Sequence, residues 1–523
     1  MRFRFFLRLA QTLAILLLCG CAALPHGDPA PQTLTILHTN DHHGRFWKNQ
    51  KGEYGLAAHK TVADRVRAEA AAQGGHVLLL DAGDINTGVP ESDMLDAEPD
   101  IRGMNAMGYD AMAVGNHEFD NPLQVLRKQE GWMHFPLLAA NIYDASGQRL
   151  FPAYHLFRLP GLTVAVFGLT TETTAIVGNP ENIKGLTFRS AVDEARELVP
   201  RLRGQADVVI ALTHLGYAES ELPGIPRTGS ETLANAVPGI DLIVDGHSHS
   251  QLGAPVLENG TVIVQAGEHG KYVGRVDLLR DKGQVRLVGG SLLPVNLAGN
   301  VDGRSASVGE AVPEDPAMLA LLAPFQEQGE SALGTVIGHA GGTFSADRAV
   351  MRSAQTELGT LACMAIMEKT GADVAVMNSG GIRAGLASGP ITYKDVLTVK
   401  PFGNTVCTVD MTAAELTEYL RLTASLPQGS GGFAQYGGVG FELREGAVRN
   451  VVVQGRPLDA KQMYTVVLDN YLASGGDGYP RVDNRQGFVN TGFVDADVLR
   501  EHITRHSPLD PAAYAPAGAV RRE

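Results

Sequence analysis

The sequence predicts an α/β protein of two domains, and three observations carry that prediction. Between Thr33 and Leu279, short apolar strands alternate with segments of helical spacing and composition, the pattern of layered α/β structure. Five of those strands stop and are followed at once by Asp, His or Asn, and residues at corresponding strand ends converge in space. From about Thr335 the character changes: strands and helices continue, but the Asp/His strand ends all but vanish. The C-terminal half therefore reads as a second, α+β domain with a different task.

In order, Thr33 to His38 alternates and is β-branched, a strand that runs into Asn40-Asp41-His42-His43-Gly44. Ala57 to Ala72 has helical spacing. The apolar run His76 to Leu80 ends in Asp81-Ala82-Gly83-Asp84, and Met94 to Met107 reads as one helix. Tyr109 to Val114 is a strand that opens into Gly115-Asn116-His117-Glu118-Phe119-Asp120. Leu137 to Ala140 and Leu162 to Leu169 are buried strands, and Ser190 to Leu202 is a helix. Asp207 to Leu212 ends in Thr213-His214, and Leu242 to Val244 ends in Asp245-Gly246-His247-Ser248-His249; Val262 to Gln265 and Val273 to Leu279 continue the β pattern. Pro316 to Glu330 has the composition of a linker helix. Beyond it, Gln355 to Lys369 and Ala413 to Ala424 are helical, while Val374 to Met377, Gly440 to Leu443, Val451 to Val453 and Tyr464 to Leu468 are strands.

A chain of 523 residues is too long for a single core. Hydrophobic residues make up 44% and charged residues 19%, which excludes a disordered chain. The net charge of −14 gives no general attraction to nucleic acid, so no nucleic acid polymer is expected as a partner, and any phosphate must be met by local cations. Residues 1–21 read as a lipoprotein-type signal: a basic start at Arg2, Arg4 and Arg8, an apolar run, then Leu18-Cys19-Gly20-Cys21. That pattern implies cleavage before Cys21, lipidation of it, and an exported periplasmic or outer-membrane lipoprotein of a bacterium, anchored to a membrane through Cys21. The alternative is an ordinary signal peptide cut after Ala23. Residues 22–32, with Pro25, Pro29 and Pro31, read as a tether. Cys363 and Cys407 each sit in an apolar setting; they form either one disulfide or two separate buried thiols.

The strand-end loops supply Asp41, His43, Asp84, Asn116, His117, Asp120, His214, His247 and His249. Carboxylates, imidazoles and an amide suit Zn, Mn, Co, Fe or Mg. There are too many donors for one four-ligand site. Two divalent ions about 3.5–4 Å apart, sharing a carboxylate, fit better, and Asp84 is the natural bridge. Glu118 reads as an anchor of its own loop, His42 as facing away from its two neighbours, and Asp81 and His59 as structural residues.

Asp41-x-His43, Gly83-Asp84, Gly115-Asn116-His117-Glu118, Thr213-His214 and Gly246-His247-x-His249 together resemble the motif set of calcineurin-like metallophosphoesterases. Asn-Asp-His-His-Gly and Asn-His-Glu-Phe-Asp narrow the resemblance to the 5′-nucleotidase family, nearest its periplasmic UDP-sugar hydrolase/5′-nucleotidase group. The resemblance implies a four-layer α/β/β/α catalytic domain over residues 33–315, a linker helix and hinge over 316–334, and a C-terminal substrate-binding domain over 335–523. It implies two divalent metal ions (Zn, Mn, Co or Mg). One would be held by Asp41, His43, Asp84 and His249, the other by Asp84, Asn116, His214 and His247, with His117 and Asp120 as the catalytic pair. In the nearest group Gln stands where this chain has His249, so the metal preference is expected to differ.

In the C-terminal half, Arg348, Arg352 and Arg383 are candidate phosphate readers, since guanidinium groups make paired contacts to anions. Asn378-Ser379-Gly380-Gly381-Ile382-Arg383, Pro401-Phe402-Gly403-Asn404 and Gly475-Gly476-Asp477-Gly478-Tyr479 resemble the nucleotide-binding motifs of the same family. They imply a base stacked between Phe402 and Tyr471, with Asn404, Gly431 and Asp477 contacting the nucleoside. The expected reaction removes the 5′-phosphate from nucleotides and cleaves UDP-sugars by attack of a metal-activated hydroxide on phosphorus. The expected protein is a monomer whose second domain rotates against the first. The alternatives are a 2′,3′-cyclic phosphodiesterase/3′-nucleotidase or NAD pyrophosphatase with the same N-terminal motifs, and a nucleotide-binding lipoprotein without turnover.

Overall fold

In the first strand, Gln32–Thr39, Leu34 and Ile36 point one way and Leu37 the other, and each side meets a different layer. The period-2 alternation thus sets the architecture. This computed structural model describes residues 31–49, 51–179, 182–218, 228–301, 304–516 and 520–522. The expected signal segment, Cys21 and all but the end of the tether lie outside the described residues.

The first domain pairs two six-stranded sheets. In one, strands Gln32–Thr39, His76–Asp81, Ala111–Ala113 and Leu137–Leu138 run parallel. In the other, Leu162–Thr170, Val208–His214, Leu242–Val244 and Thr261–Val264 do. Leu34, Ile36, Leu78 and Leu80 of the first pack on Val164, Ile210, Leu212 and Val244 of the second. Outside the first sheet, Leu37, Leu79 and Met112 are covered by helices Leu56–Ala72 and Glu98–Met107. Outside the second, Ala165, Phe167 and Val209 are covered by helix Ala191–Arg203. The order is helix, sheet, sheet, helix. Each fully buried aliphatic side chain contributes about 1.5–3 kcal/mol. Parallel strands bring their carboxyl ends to one edge, and both sheets present that edge to the same side.

The second domain centres on a five-stranded sheet, with Val374–Asn378 and Met463–Asp469 in its middle. One face is covered by helices Glu357–Thr370 and Asp495–His506, the other by helix Ala413–Ala424 and a four-stranded sheet. Thr392 and Thr412 cap their helices with reciprocal partners Asp395 and Glu415. Cys363 and Cys407 are buried free thiols in different cores, which resolves the open alternative.

Two local expectations are corrected. The helix read over Met94 to Met107 forms only over Glu98–Met107; a separate short helix, Pro90–Asp93, precedes it, and between them Asp96 and Ala97 turn left-handed at φ 53° and 57°. The strand read over Tyr109 to Val114 pairs only over Ala111–Ala113. The linker helix spans Pro316–Leu333, capped by Asp315, but Met318 and Leu322 are buried in the first domain's core. Most of it is thus a part of that domain. Between the domains, Lys394 forms an ion pair with the fully buried Glu91. Among the described residues, no helix is long and apolar enough to cross a membrane.

Candidate active site

All five strand-end loops meet at the carboxyl edge of the two sheets. Five of the residues there hold left-handed backbone: Asp41 (φ 52°), His43 (51°), Asp84 (61°), His247 (73°) and His249 (56°). Such conformations cost on the order of 1–3 kcal/mol each, somewhat less for Asp and His, and persist only where the surroundings impose them. Here strand ends and tight contacts impose them. Gly115 shows how tight: a Cβ there would sit 2.2 Å from Asp84 Oδ1.

The outward ring nitrogens are tied down. His43 Nδ1 faces the carbonyls of Asn86 and Thr87, both at 3.0 Å, and His214 Nδ1 faces the Ala82 carbonyl at 2.7 Å. His249 Nδ1 lies 2.5 Å from Glu268 Oε2. Each ring therefore gives its one N–H outward and turns a bare nitrogen inward. Those inner nitrogens face one another and carboxylates. His43 Nε2 is 3.3 Å from His249 Nε2, which is 3.1 Å from Asp41 Oδ1. His214 Nε2 is 3.0 Å from Asp84 Oδ2 but out of hydrogen-bond alignment, a buried nitrogen without a partner. His247 Nδ1 lies 2.7 Å from Asn116 Oδ1. Lone pairs aimed at lone pairs are repulsive unless a cation sits between them, so this donor set suits divalent metal ions. Three groupings result: Asp41 with His43 and His249, Asp84 with His214 and His247, and His43 with Asp84 and His117.

The electrostatics agree. Burial pushes the Asp84 carboxyl up, but His214, His117 and His43 hold it well below the usual range. Burial lowers His214, yet Asp84 and Asp41 raise it to about 10. Protons and metal ions compete for the same pairs.

His117 stands beside this cluster. Its backbone N–H donates to Asp84 Oδ1 at 2.8 Å, and its Nδ1 lies 2.6 Å from Asp120 Oδ2. Burial lowers its pKa, but Asp120 and Asp84 outweigh that and raise it. Glu118 accepts from the backbone N–H groups of Gly115, Asp84 and Ile85 and from Asn86 Nδ2, and so fastens its own loop to the Asp84 loop. His42 turns away, toward Asp100 at 3.3 Å. Asp81 accepts from Thr39 and Gly83, and His59 bonds the Gly270 carbonyl.

The second domain closes over this edge. One cavity of about 420 Å³ is lined by Asp84, Asn116, His117, Asp120, His247 and His249 from below, and by Arg348, Arg352, Arg383, Phe402, Asn404, Gly431, Tyr471 and Asp477 from above. Arg348 opens the short helix Arg348–Met351, which Asp347 caps, Arg352 follows its last residue, and both arginines line the cavity. Arg348 Nη1 comes within 3.2 Å of His249 Nδ1. Phe402 lies parallel to His117, ring centroids 6.0 Å apart and 14° between planes, and the Arg383 guanidinium is 5.7 Å from the Phe402 ring. Tyr471 Oη donates to Asp477 Oδ1 at 2.9 Å and Asn378 Nδ2 to Oδ2 at 2.6 Å, so Asp477 also orients the aromatic ring expected to stack on a base.

Several residues of the site escaped the sequence reading. Glu268, which grips His249, follows strand Thr261–Val264 in a Gly-Glu-His-Gly turn and is another strand-end polar residue. Asp245 accepts from Thr213 Oγ1 and the Leu215 N–H and fixes the His214 turn. Thr173, Ile176 and Asn179 line the cavity from a short helix of the first domain that packs on the turn at Gly476–Gly478; nothing in their spacing marks them.

Fold and donor set together define a metal-dependent phosphoesterase with a second domain over its active edge. The calcineurin-like phosphoesterase family matches residues 34–251, and the 5′-nucleotidase C-terminal domain matches residues 336–484. The chain is 48% identical to a 5′-nucleotidase of Vibrio cholerae over 532 aligned positions, 96% of both chains. It is 46% identical to Protein UshA of Escherichia coli, covering 95% of this chain and 96% of that one. The crystal structure of a 5′-nucleotidase precursor from Thermus thermophilus covers 94% of this chain with a TM-score of 0.78 and 29% identity. The chain belongs to the 5′-nucleotidase family of two-domain metallophosphoesterases.

Proposed function

We propose that the protein removes the 5′-phosphate from nucleotides and cleaves UDP-sugars at the pyrophosphate. One observation carries the reading: the imidazole–carboxylate cluster of one domain and the Arg, Phe and Tyr set of the other line a single cavity. A molecule with an anionic ester at one end and a planar base at the other meets both.

Asp41, His43, Asp84 and His249 would hold one divalent ion, and Asp84, Asn116, His214 and His247 the other. Bound there, two such ions supply charge neutralisation at phosphorus and a water activated for attack. The chain's own residues do the rest. Arg348, Arg352 and Arg383 bind phosphate oxygens and orient the ester. His117, held by Asp120 and kept cationic over a wider pH range, donates to the phosphoryl oxygens as charge redistributes in the transition state. Phe402 and Tyr471 stack the base, while Asn404, Gly431 and Asp477 bound the nucleoside. Closure of the second domain over the site excludes water and must be released for exchange. We infer that rotation occurs where the linker helix ends, near Gly334, because its earlier turns are fixed in the first domain.

The protein is further proposed to be an exported monomeric lipoprotein, tethered through Cys21 with its catalytic domains in the periplasm or at the outer membrane. Metabolic labelling with a radiolabelled fatty acid, lost in Cys21→Ser, tests the anchor.

For the reaction, metal-stripped protein is resupplied with Zn, Mn, Co or Mg and assayed on AMP, 3′-AMP, cyclic nucleotides, NAD and UDP-glucose. Hydrolysis of AMP and UDP-glucose is expected. Turnover confined to cyclic or 3′ substrates would overturn the assignment in favour of a cyclic phosphodiesterase.

A further inference from the structure

In the second domain, outside the cavity, His502 and His506 stand one turn apart on helix Asp495–His506 and face Glu368 of helix Glu357–Thr370. His502 Nδ1 lies 2.5 Å and His506 Nε2 3.0 Å from the same oxygen, Glu368 Oε2. The three donor atoms fall within 4.8 Å of one another. We propose that Glu368, His502 and His506 form a further transition-metal site, of the Zn²⁺ class, that braces the last long helix against Glu357–Thr370.

Three features support a bound cation rather than a plain ion-pair cluster. First, two imidazoles converge on one oxygen while the other oxygen is taken: Arg505 Nη1 lies 2.5 Å from Glu368 Oε1. Oε2 is thereby left to the histidines. Second, His502 has the outer partner that metal-bound histidines commonly have. Its Nε2 is 3.1 Å from Tyr514 Oη, which can accept the ring N–H and leave Nδ1 bare. Tyr514 is itself held edge-on by Phe344. Third, the ligand chemistry is selective. Two imidazoles and a carboxylate are borderline-soft and favour Zn²⁺ over Mg²⁺ or Ca²⁺. Metal–ligand bonds of about 2.0–2.2 Å at tetrahedral angles separate donors by roughly 3.2–3.5 Å, so the present contacts need open by less than about 1 Å. The buried His502 anchors the site, and the side chains of Glu368 and His506, 31% and 44% exposed, leave room for water as a fourth ligand.

A chain of this shape was hidden from the sequence. His502 and His506 have helical i, i+4 spacing, but Glu368 lies 134 positions before His502.

The test is zinc stoichiometry of the full chain. Metal-free wild type, His506→Ala and Glu368→Gln are dialysed against micromolar free Zn²⁺ and analysed for zinc. Wild type is expected to retain one equivalent more than either variant, with AMP turnover unchanged in all three. His506→Ala is the decisive variant, because its exposed ring can be removed without disturbing the core. Equal zinc content in wild type and His506→Ala overturns the proposal. A melting temperature raised by Zn²⁺ equally in both chains also overturns it, since the brace would then contribute nothing.

Discussion

The cavity has two walls, and they are built on different principles. The lower wall sets Asp41, His43, Asp84, His247 and His249 on left-handed backbone at the ends of buried parallel strands. Its ring nitrogens are locked by Asn86, Thr87, Ala82 and Glu268. The upper wall consists of glycine turns around Gly380, Gly403, Gly431 and Gly475, with aromatic and guanidinium side chains projecting from them. Only Asp477 among its proposed contacts is left-handed without being glycine. The contrast fits the tasks proposed for the two walls. Holding two cations at a fixed separation needs donor positions accurate to fractions of an ångström, and strain is tolerated to obtain it. Reading a base by stacking tolerates small shifts, because every base has a flat face.

The comparison makes graded predictions. Asp84→Asn removes the carboxylate common to both proposed ligand sets, and turnover of AMP is expected to fall by several orders of magnitude, with metal content reduced in elemental analysis. His117→Ala should lower kcat by about 10²–10³-fold while both metals stay bound, since each proposed ligand set is complete without His117 and its Nδ1 is held by Asp120. Loss of metal in that variant would make His117 a ligand. Asp120→Asn removes the first charge that raises His117. A raised pKa keeps the cation present below it and loses it as pH rises through it, so the alkaline limb of the kcat profile should move to lower pH. The smallest effect on catalysis is expected at the domain seam. Lys394→Ala leaves the buried Glu91 carboxylate without its cation, so the cost, about 3 kcal/mol, should appear as a lowered melting temperature, while kcat/KM changes by less than about fivefold because neither residue lines the cavity.

The two walls were also unequally legible in the sequence. The lower wall could be read because its ligands directly follow apolar strands, and strand ends converge. The four-layer order was implied by the family resemblance alone; the structure then seats Leu34 and Ile36 between the sheets and Leu37 under the helices. What escaped was support at a distance. Glu268 serves a histidine on another strand end, and its own turn lies a few residues past its strand. The break at Asp96 and Ala97 does have a local mark, Pro99, which stands in the first turn of Glu98–Met107, the one place where a helix tolerates proline. On the upper wall, Phe402 and Tyr471 were placed by family resemblance, since aromatics beside glycines are ordinary core residues on composition alone, whereas Arg383 was legible as an anion binder behind its glycine turn. The structure brings these three to the cavity. It also adds Thr173, Ile176 and Asn179, which no pattern announces.

On the proposed function, chemistry resides in one wall and substrate choice in the other. The most direct test compares Phe402→Ala with wild type on AMP and on a simple aryl phosphate that has no base. Lost stacking should lower kcat/KM for AMP by roughly 5- to 100-fold, the equivalent of about 1–3 kcal/mol, and leave the aryl phosphate nearly unchanged. An equal fall on both substrates would contradict the division of labour, and would mean that Phe402, packed over His117, serves the reaction centre itself.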